Sequence, residues 1–195
     1  LYAAAGRMLE AADWVIWQLT GLEVRNLCTA GYKAIYWDGD YPSRDFFAAL
    51  DPRFADIVET KLSYHLAQLG TSAGLLSAQA ARWMGLQPGI PVAVANVDAH
   101  VTAAAVDAVA PGIFVMIMGT STCDIVLGEA LREVPGMCGV VRDGVVPGLW
   151  AYEAGQNGVG DIFAWYLDHA VPPEVHAAAQ AAGLSLHAYL EQEAS

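Results

Sequence analysis

Basic residues are scarce in this sequence. Lys and Arg total nine against 21 Asp and Glu, which gives a formal net charge of −12 over 195 residues. Such an excess of negative charge repels a phosphate backbone, so we predict no nucleic-acid partner. The acids are spread along the chain, which favours a role in solubility. A small phosphate-bearing ligand is still compatible with this charge, because helix N-termini and backbone amides bind anions locally.

Cysteine is also rare, and long hydrophobic runs are missing. Cys28, Cys123 and Cys138 are odd in number and too scattered for a zinc motif or a disulfide framework. We interpret them as reduced thiols that pack as small apolar groups, and we predict no metal ligands in this chain. Apolar runs such as 113–118 are far shorter than the roughly 20 residues that cross a bilayer. With no signal-like start either, we expect a cytoplasmic protein without a membrane partner.

Apolar residues fill 55% of the positions, enough for a sizeable core. In the first half, hydrophobic spacing and capping residues predict a series of elements. These are a helix over 3–20 ended by Gly21, a small-residue loop over 25–33, helices that start at Ser43, Pro52 and Ser77, a break at 69–74 and a strand over 91–95.

Residues 96–122 place one carboxylate and one phosphate-sized turn close together in sequence. Asp98 opens a small-residue helix predicted to reach Val109, and the turn Gly119–Ser121 joins two apolar strands. Taken alone, Asp98 is most often a helix N-cap, and the turn is most often an ordinary hairpin. A glycine beside hydroxyl groups can also present backbone N–H groups to a phosphate.

The last third of the sequence predicts a second hairpin at Arg142-Asp143-Gly144 and a glycine-rich entrance, 155–160, to a helix through 162–167. Two further helices are predicted over 174–182 and 184–194. The glycines admit either a ligand or close packing of helix on sheet. Lys33 and Glu153 are each either solvated surface groups or groups that bind a hydroxylated ligand.

Several segments resemble the central part of sugar kinases of the FGGY family, and together they span almost the whole chain. Within the family, the Asp-Ala-His-Val and Met-Gly-Thr-Ser-Thr-Cys segments are most similar to members that phosphorylate L-ribulose. The matching segments are 10–14, 17–21, 28–33, 95–103, 118–123, 131–139 and 147–156.

The resemblance implies an α/β kinase of the ribonuclease-H-like, actin-like fold, with sugar and ATP bound between two lobes. Residues 1–109 would end the sugar-binding lobe, and residues 110–195 would begin the nucleotide-binding lobe. The implied partners are L-ribulose and ATP with Mg²⁺, and the implied product, in L-arabinose catabolism, is L-ribulose 5-phosphate. Strand edges left without neighbours favour a homo-oligomer.

The same resemblance assigns roles to individual residues. Asp98 matches the catalytic base and also contacts the sugar, as do Lys33 and Glu153. The nucleotide contacts fall on Gly119, Thr120, Gly160 and Ala164. Asn96 and His100 flank the base, and for His100 a packed, hydrogen-bonded side chain is favoured over a role in orienting Asp98.

Family members are longer than this chain. Their N-terminal phosphate-binding hairpin, metal-associated acid and C-terminal glycine-rich adenosine motif are not found in these residues. We therefore expect a central part of such an enzyme, with no ATP-dependent turnover of sugar by this chain alone. Two alternatives stay open: another pentulose or polyol kinase, such as one acting on xylulose, and a non-catalytic sugar- or nucleotide-binding module.

Overall fold

The computed structural model describes all residues from 1 to 195, and they form two compact units. Unit 1 comprises residues 1–117 and 123–154, and unit 2 comprises residues 118–122 and 155–195. No helix in either unit combines the length and the apolar character that a membrane span needs.

Unit 1 is a mixed arrangement of short helices and strands. The helices are α1 (Ala11–Thr20), α2 (Leu27–Ala34), α3 (Arg44–Leu50), α4 (Ala78–Met84) and α5 (Asp98–Ala105), with single turns at Tyr2–Ala4, Pro52–Phe54 and Val58–Leu62. The strands are β1 (Arg25–Asn26), β2 (Leu66–Ala67), β3 (Ser72–Leu75), β4 (Pro91–Ala93), β5 (Phe114–Met118), β6 (Thr122–Gly128), β7 (Gly139–Arg142) and β8 (Trp150–Gln156). One residue of β5, one of β6 and two of β8 belong to unit 2.

The largest sheet has four strands in the order β5-β6-β8-β7. Strands β7 and β8 are antiparallel, with Gly139 opposite Glu153 and Val141 opposite Ala151. Ala103 of α5 is buried with Ile125, Leu127, Val145 and Ala151, so α5 packs directly on this sheet. That packing brings the helix that begins at Asp98 close to the strand that carries Glu153.

Residues 25–33, predicted as a loop, form β1 and most of α2, so that prediction was wrong. The Asn26 side chain accepts a hydrogen bond from the Thr29 N–H at 2.8 Å and so caps α2. Asn26 is itself held by Asp13, whose Oδ1 accepts from the Asn26 N–H at 3.0 Å and from its Nδ2 at 2.7 Å. Burial raises the pKa of Asp13 against the opposing effect of these bonds. This contact from α1 therefore stabilises the start of α2, a helix that is too short to show a clear hydrophobic period in the sequence.

Helix α2 packs on β7 at Gly31, where a Cβ atom would overlap both methyl groups of Val141. We expect Gly31→Ala to lower the free energy of unfolding by about 1–2 kcal/mol, because overpacking costs about 1–3 kcal/mol and outweighs the gain in helix propensity. Thermal unfolding followed by circular dichroism measures this. Gly6→Ala is the matched control, since a Cβ there meets nothing within 4 Å. An unchanged Tm in Gly31→Ala would contradict the packing described here.

Several capping predictions are confirmed. Ser43 and Ser77 each accept a hydrogen bond from the N–H three residues later, and Gly21 ends α1 in the left-handed conformation. Pro52 begins its short helical turn as predicted. At these positions the neighbouring residues alone were sufficient to predict the helix ends.

The predicted helix over 3–20 begins only at Ala11. Upstream, the Met8 N–H donates to the Lys61 carbonyl at 3.0 Å and the Arg25 guanidinium donates to the Met8 carbonyl. These bonds to neighbouring segments replace the backbone bonds that a helix would make at Met8. The predicted break at 69–74 also contains the start of β3, which pairs with β4 around a bulge at Gly74.

Two predictions downstream need correction. Helix α5 ends at Ala105 rather than Val109, since Asp107 has a left-handed φ of 58°, and its N-cap is Val97 rather than Asp98. The predicted hairpin at 142–144 does not form, because β7 pairs with β8 instead. Val145 lies in the intervening loop with no exposed surface, so burial in the core outweighs a local hairpin there.

Unit 2 consists mainly of the three helices α6 (Val159–His169), α7 (Pro173–Ala181) and α8 (Leu186–Ala194). All three were predicted from the sequence, and the turn between β5 and β6 is confirmed too. In that turn the Gly119 N–H donates to the Ser121 carbonyl at 2.8 Å. The Val159 N–H donates to the Thr120 carbonyl at 3.1 Å, which attaches the start of α6 to the turn.

Candidate functional site

A cluster of ionisable side chains surrounds His100 in unit 1. Its Nδ1 lies 2.8 Å from Cys28 Sγ, and its Nε2 lies 3.4 Å from Glu153 Oε2. The Tyr32 ring meets the imidazole edge-on at 4.6 Å between centroids. The thiol of Cys123 donates to Glu153 Oε1 at 3.6 Å. These five residues are called the His100 cluster below.

Helix α2, helix α5 and the four-stranded sheet all contribute to the His100 cluster. Cys28 and Tyr32 lie one turn apart on α2 and so share a face of that helix, while His100 projects from α5. Cys123 and Glu153 come from β6 and β8, which are neighbours in the sheet. The Tyr32 hydroxyl donates to the Ala151 carbonyl at 2.5 Å and ties α2 to β8. Packing of α2 and α5 on one sheet therefore brings the cluster together.

The cluster holds one carboxylate among neutral thiols. The hydrogen bond from His100, opposed by partial burial, lowers the pKa of Glu153. Burial raises the pKa of Cys28 to about 12, and burial together with the Glu153 charge raises that of Cys123 to about 12. Glu153 is therefore an ionised hydrogen-bond acceptor at neutral pH, and the two thiols keep their protons.

Lys33, in the last turn of α2, has a half-exposed side chain and pairs with Glu10, with Nζ 2.9 Å from Oε2. Its charge also contributes to the lowered pKa of Glu153, so the two predicted sugar contacts lie within electrostatic reach of each other. Exposed ion pairs of this kind contribute about 0–1 kcal/mol, so Lys33 can exchange Glu10 for a ligand oxygen.

A cavity of about 420 Å³ opens beside Lys33 and Glu10 and is also lined by Asp13, Arg25 and Tyr41. Its size suits a small polar molecule. Asp98, Glu153 and the other members of the His100 cluster are not among its lining residues, although α2 contributes to both.

Asp98 is exposed and is the first residue of α5. Its Oδ1 accepts from the Ala99 N–H at 3.0 Å, which fixes the carboxylate at the start of the helix. Both ring nitrogens of His100 are engaged by Cys28 and Glu153, so His100 does not orient Asp98. The interpretation of His100 as a packed, hydrogen-bonded residue is confirmed. Asn96 accepts from the Val97 N–H at 2.7 Å, while its own buried Nδ2 has no partner.

The residues predicted to meet the nucleotide lie together in unit 2. Gly119 and Thr120 form an exposed turn, and a Cβ on Gly160 would be 4.0 Å from the Gly119 carbonyl oxygen. Ala164 lies one turn further along α6. That helix begins at Gly158, with φ 73° and no side-chain cap, so its first N–H groups have no partner within the helix. Such a helix start next to a glycine turn is suited to an anion.

Known proteins that are similar to this chain are carbohydrate kinases. Residues 114–195 match the model of the C-terminal domain of the FGGY family of carbohydrate kinases. Over all 195 of its residues the chain is 58% identical to the ribulokinase of Mycolicibacterium smegmatis. By both comparisons the chain is similar to carbohydrate kinases of the FGGY family. It is also 53% identical, over 196 aligned residues, to the ribulokinase of Geobacillus thermodenitrificans (strain NG80-2). The chain spans 35% of the length of each of these relatives.

Solved structures of carbohydrate kinases share the fold of this chain. A xylulose kinase from Brucella ovis superposes with a TM-score of 0.70 at 18% identity, over 100% of this chain and 36% of that one. A ligand-bound xylulose kinase from Lactobacillus acidophilus gives a TM-score of 0.69 at 14% identity, over 97% of this chain and 36% of that one. The prediction of a partial ribonuclease-H-like, actin-like α/β fold is therefore confirmed.

Sequence reasoning missed part of the candidate site. Cys28 and Cys123 were interpreted as inert apolar groups, yet they contact His100 and Glu153. Glu10, the partner of Lys33, was assigned no role. A signal was present, since all three lie in segments that carry the family resemblance, 10–14, 28–33 and 118–123.

Proposed function

We propose that this chain is the central part of a kinase that uses ATP to convert L-ribulose to L-ribulose 5-phosphate. One observation carries the proposal. Glu153 is held as a carboxylate by His100 and Cys123 within electrostatic reach of Lys33, in a chain 58% identical to a protein named ribulokinase. The conversion of L-ribulose is a step in the use of L-arabinose, and its expected location is the cytoplasm.

Glu153 and Lys33 bind the sugar in this proposal. The carboxylate of Glu153 accepts hydrogen bonds from sugar hydroxyls, and the ammonium of Lys33 donates to sugar oxygens after leaving Glu10. Hydrogen bonds that involve a charged partner are shorter and about twice as strong as neutral ones. The His100 and Cys123 contacts fix the Glu153 carboxylate, so less side-chain entropy is lost when the sugar binds.

Asp98 is the proposed catalytic base. Its exposed carboxylate accepts the proton of the attacking sugar hydroxyl while that oxygen forms a bond to the γ-phosphorus of ATP. The bond between the γ-phosphorus and the bridging oxygen breaks, and ADP leaves with the electron pair. Phosphoryl transfer depends mainly on positioning and charge stabilisation, and a fixed carboxylate supplies the proton acceptor.

Gly119, Thr120, Gly160 and Ala164 are the proposed nucleotide contacts. The backbone N–H groups of Gly160 and Asp161 in the first turn of α6 and the Thr120 hydroxyl would donate to phosphate oxygens. The match to the family's C-terminal domain model begins at residue 114, which supports a change of lobe near residue 110, with 1–109 ending the sugar-binding lobe and 110–195 beginning the nucleotide-binding lobe.

Kinases of this family are expected to use Mg²⁺ with ATP, where the ion neutralises charge on the transferred phosphate. Mg²⁺ takes oxygen ligands and usually keeps several waters. The group of potential metal ligands in this structure is His100, Cys123 and Glu153, which includes a thiol and an imidazole. These residues do not fit Mg²⁺, so we assign no residue of this chain to it.

A substrate panel on the complete enzyme tests the proposal. Formation of ADP from ATP is measured with L-ribulose, D-xylulose and glycerol, and we expect the highest kcat/KM for L-ribulose. A higher kcat/KM for D-xylulose or glycerol would replace L-ribulose with another pentulose or polyol. Sugar binding without any sugar-dependent ADP formation would instead identify a non-catalytic binding module.

A further inference from the structure

We propose that His100, Cys123 and Glu153 form a binding site for a divalent transition-metal ion, with Zn²⁺ as the best match. The potential donor atoms, a ring nitrogen, a sulfur and a carboxylate oxygen, all lie within 4.8 Å of one another. They come from α5, β6 and β8, so the fold itself brings them together. The site goes beyond the proposed function, which assigns no metal to these residues.

Two of the three donor separations fit a tetrahedral ion. Zinc binds imidazole nitrogen and carboxylate oxygen at about 2.0–2.2 Å and thiolate sulfur at about 2.3 Å, so neighbouring ligand atoms lie about 3.3–3.6 Å apart. His100 Nε2 is 3.4 Å from Glu153 Oε2, and Cys123 Sγ is 3.6 Å from Glu153 Oε1. The ring nitrogen of His100 and Cys123 Sγ lie within 4.8 Å of each other, so side-chain adjustment is needed for all three donors to bind one ion.

The donor set selects the metal. A thiolate and an imidazole favour Zn²⁺ and similar ions over Mg²⁺ and Ca²⁺, which prefer oxygen. Three protein ligands leave one tetrahedral position for a water molecule. The Glu153 side chain is 26% exposed, which leaves a route for the ion, whereas that of His100 is 3% exposed.

The surroundings of His100 support ligation through Nε2. Cys28 Sγ lies 2.8 Å from Nδ1, and the Tyr32 ring packs edge-on against the imidazole. With the metal bound, Nδ1–H donates to Cys28 Sγ and Nε2 is left without a proton, as a ligand must be. The Cys123 thiol releases its proton to solvent when it binds the ion.

Titration of the complete enzyme with Co²⁺, without sugar or nucleotide, tests the site. We expect a thiolate-to-cobalt charge-transfer absorption that Zn²⁺ abolishes by displacement. Cys123→Ser should weaken binding at least about tenfold, since even loss of an outer contact costs about 10–100-fold. Cys138→Ser is the matched control, because Cys138 is exposed and is not among the three proposed donors. Circular dichroism checks folding, and Cys123→Ala should repeat the loss.

Two results would overturn the site: no charge-transfer absorption in the unmodified enzyme, or equal absorption in Cys123→Ser. A kinetic measurement, which rests on the proposed sugar-binding role of Glu153, separates failure of the metal site from failure of the proposed function. Zn²⁺ should raise the KM for L-ribulose in the unmodified enzyme and in Cys138→Ser. In Cys123→Ser, the rise in KM relative to the metal-free KM of that variant should be at least about tenfold smaller. Cobalt binding without any rise in KM would confirm the metal site and contradict the sugar-binding role of Glu153.

Discussion

Asp98→Asn is expected to lower the kcat of the complete enzyme by about 10²–10⁴-fold, the usual contribution of general acid–base catalysis. The amide keeps the size of the carboxylate and can still accept from the Ala99 N–H, which Asp98 does at 3.0 Å. It cannot take the proton of the sugar hydroxyl. Since Asp98 is exposed and outside the buried cores, we expect little change in folding.

The measurement is steady-state ADP formation with L-ribulose at saturating ATP, with thermal unfolding recorded in parallel. Asp107→Asn is a matched control, because Asp107 is also exposed on the same segment and Asn tolerates its left-handed φ of 58°. An Asp98→Asn enzyme with unchanged kcat would refute the assignment of the base. An equal loss of kcat in Asp107→Asn would refute that assignment as well.

Glu153→Gln is expected to raise the KM for L-ribulose about 10–100-fold, because hydrogen bonds to a charged group contribute about 1.5–3 kcal/mol. Gln keeps the shape of Glu but loses the charge that faces sugar hydroxyls. The His100 contact at 3.4 Å also loses its charged acceptor, so the side chain is held less firmly. The KM for ATP should stay unchanged, since the proposed nucleotide contacts belong to other residues.

Sugar and ATP dependence measured separately give the two KM values, and calorimetry gives the affinity for L-ribulose directly. Glu129→Gln, at an exposed acid just after β6, is the matched control. The two variants should differ in kind: Asp98→Asn affects turnover, and Glu153→Gln affects sugar binding. A Glu153→Gln enzyme with normal KM for L-ribulose and normal affinity would contradict the sugar-binding role.

Much of the fold could be predicted from local chemistry. Ser43 and Ser77 cap their helices, Gly21 ends α1, and the Gly119–Ser121 turn joins β5 to β6, because each of these features depends on a few neighbouring residues. The fold class required the family resemblance, since no local pattern shows how the strands are ordered.

The rest depends on contacts between distant residues. Helix α2 starts because Asp13 of α1 holds the Asn26 cap, and the hairpin predicted at 142–144 is replaced because Val145 is buried in the core. His100 and Cys28 are separated by 72 positions, and Cys123 and Glu153 by 30. The sequence alone therefore named Lys33, Asp98 and Glu153 through resemblance, but it did not reveal that two thiols and an imidazole surround Glu153.

The most direct test of the proposed reaction is phosphorus NMR of the sugar product formed by the complete enzyme from L-ribulose and ATP. We predict a phosphate ester at carbon 5, equal in amount to the ADP formed and nearly absent with Asp98→Asn. A phosphate on any other carbon, or ADP formed without a phosphorylated sugar, would contradict the proposal that this chain belongs to an L-ribulose kinase with Asp98 as its base.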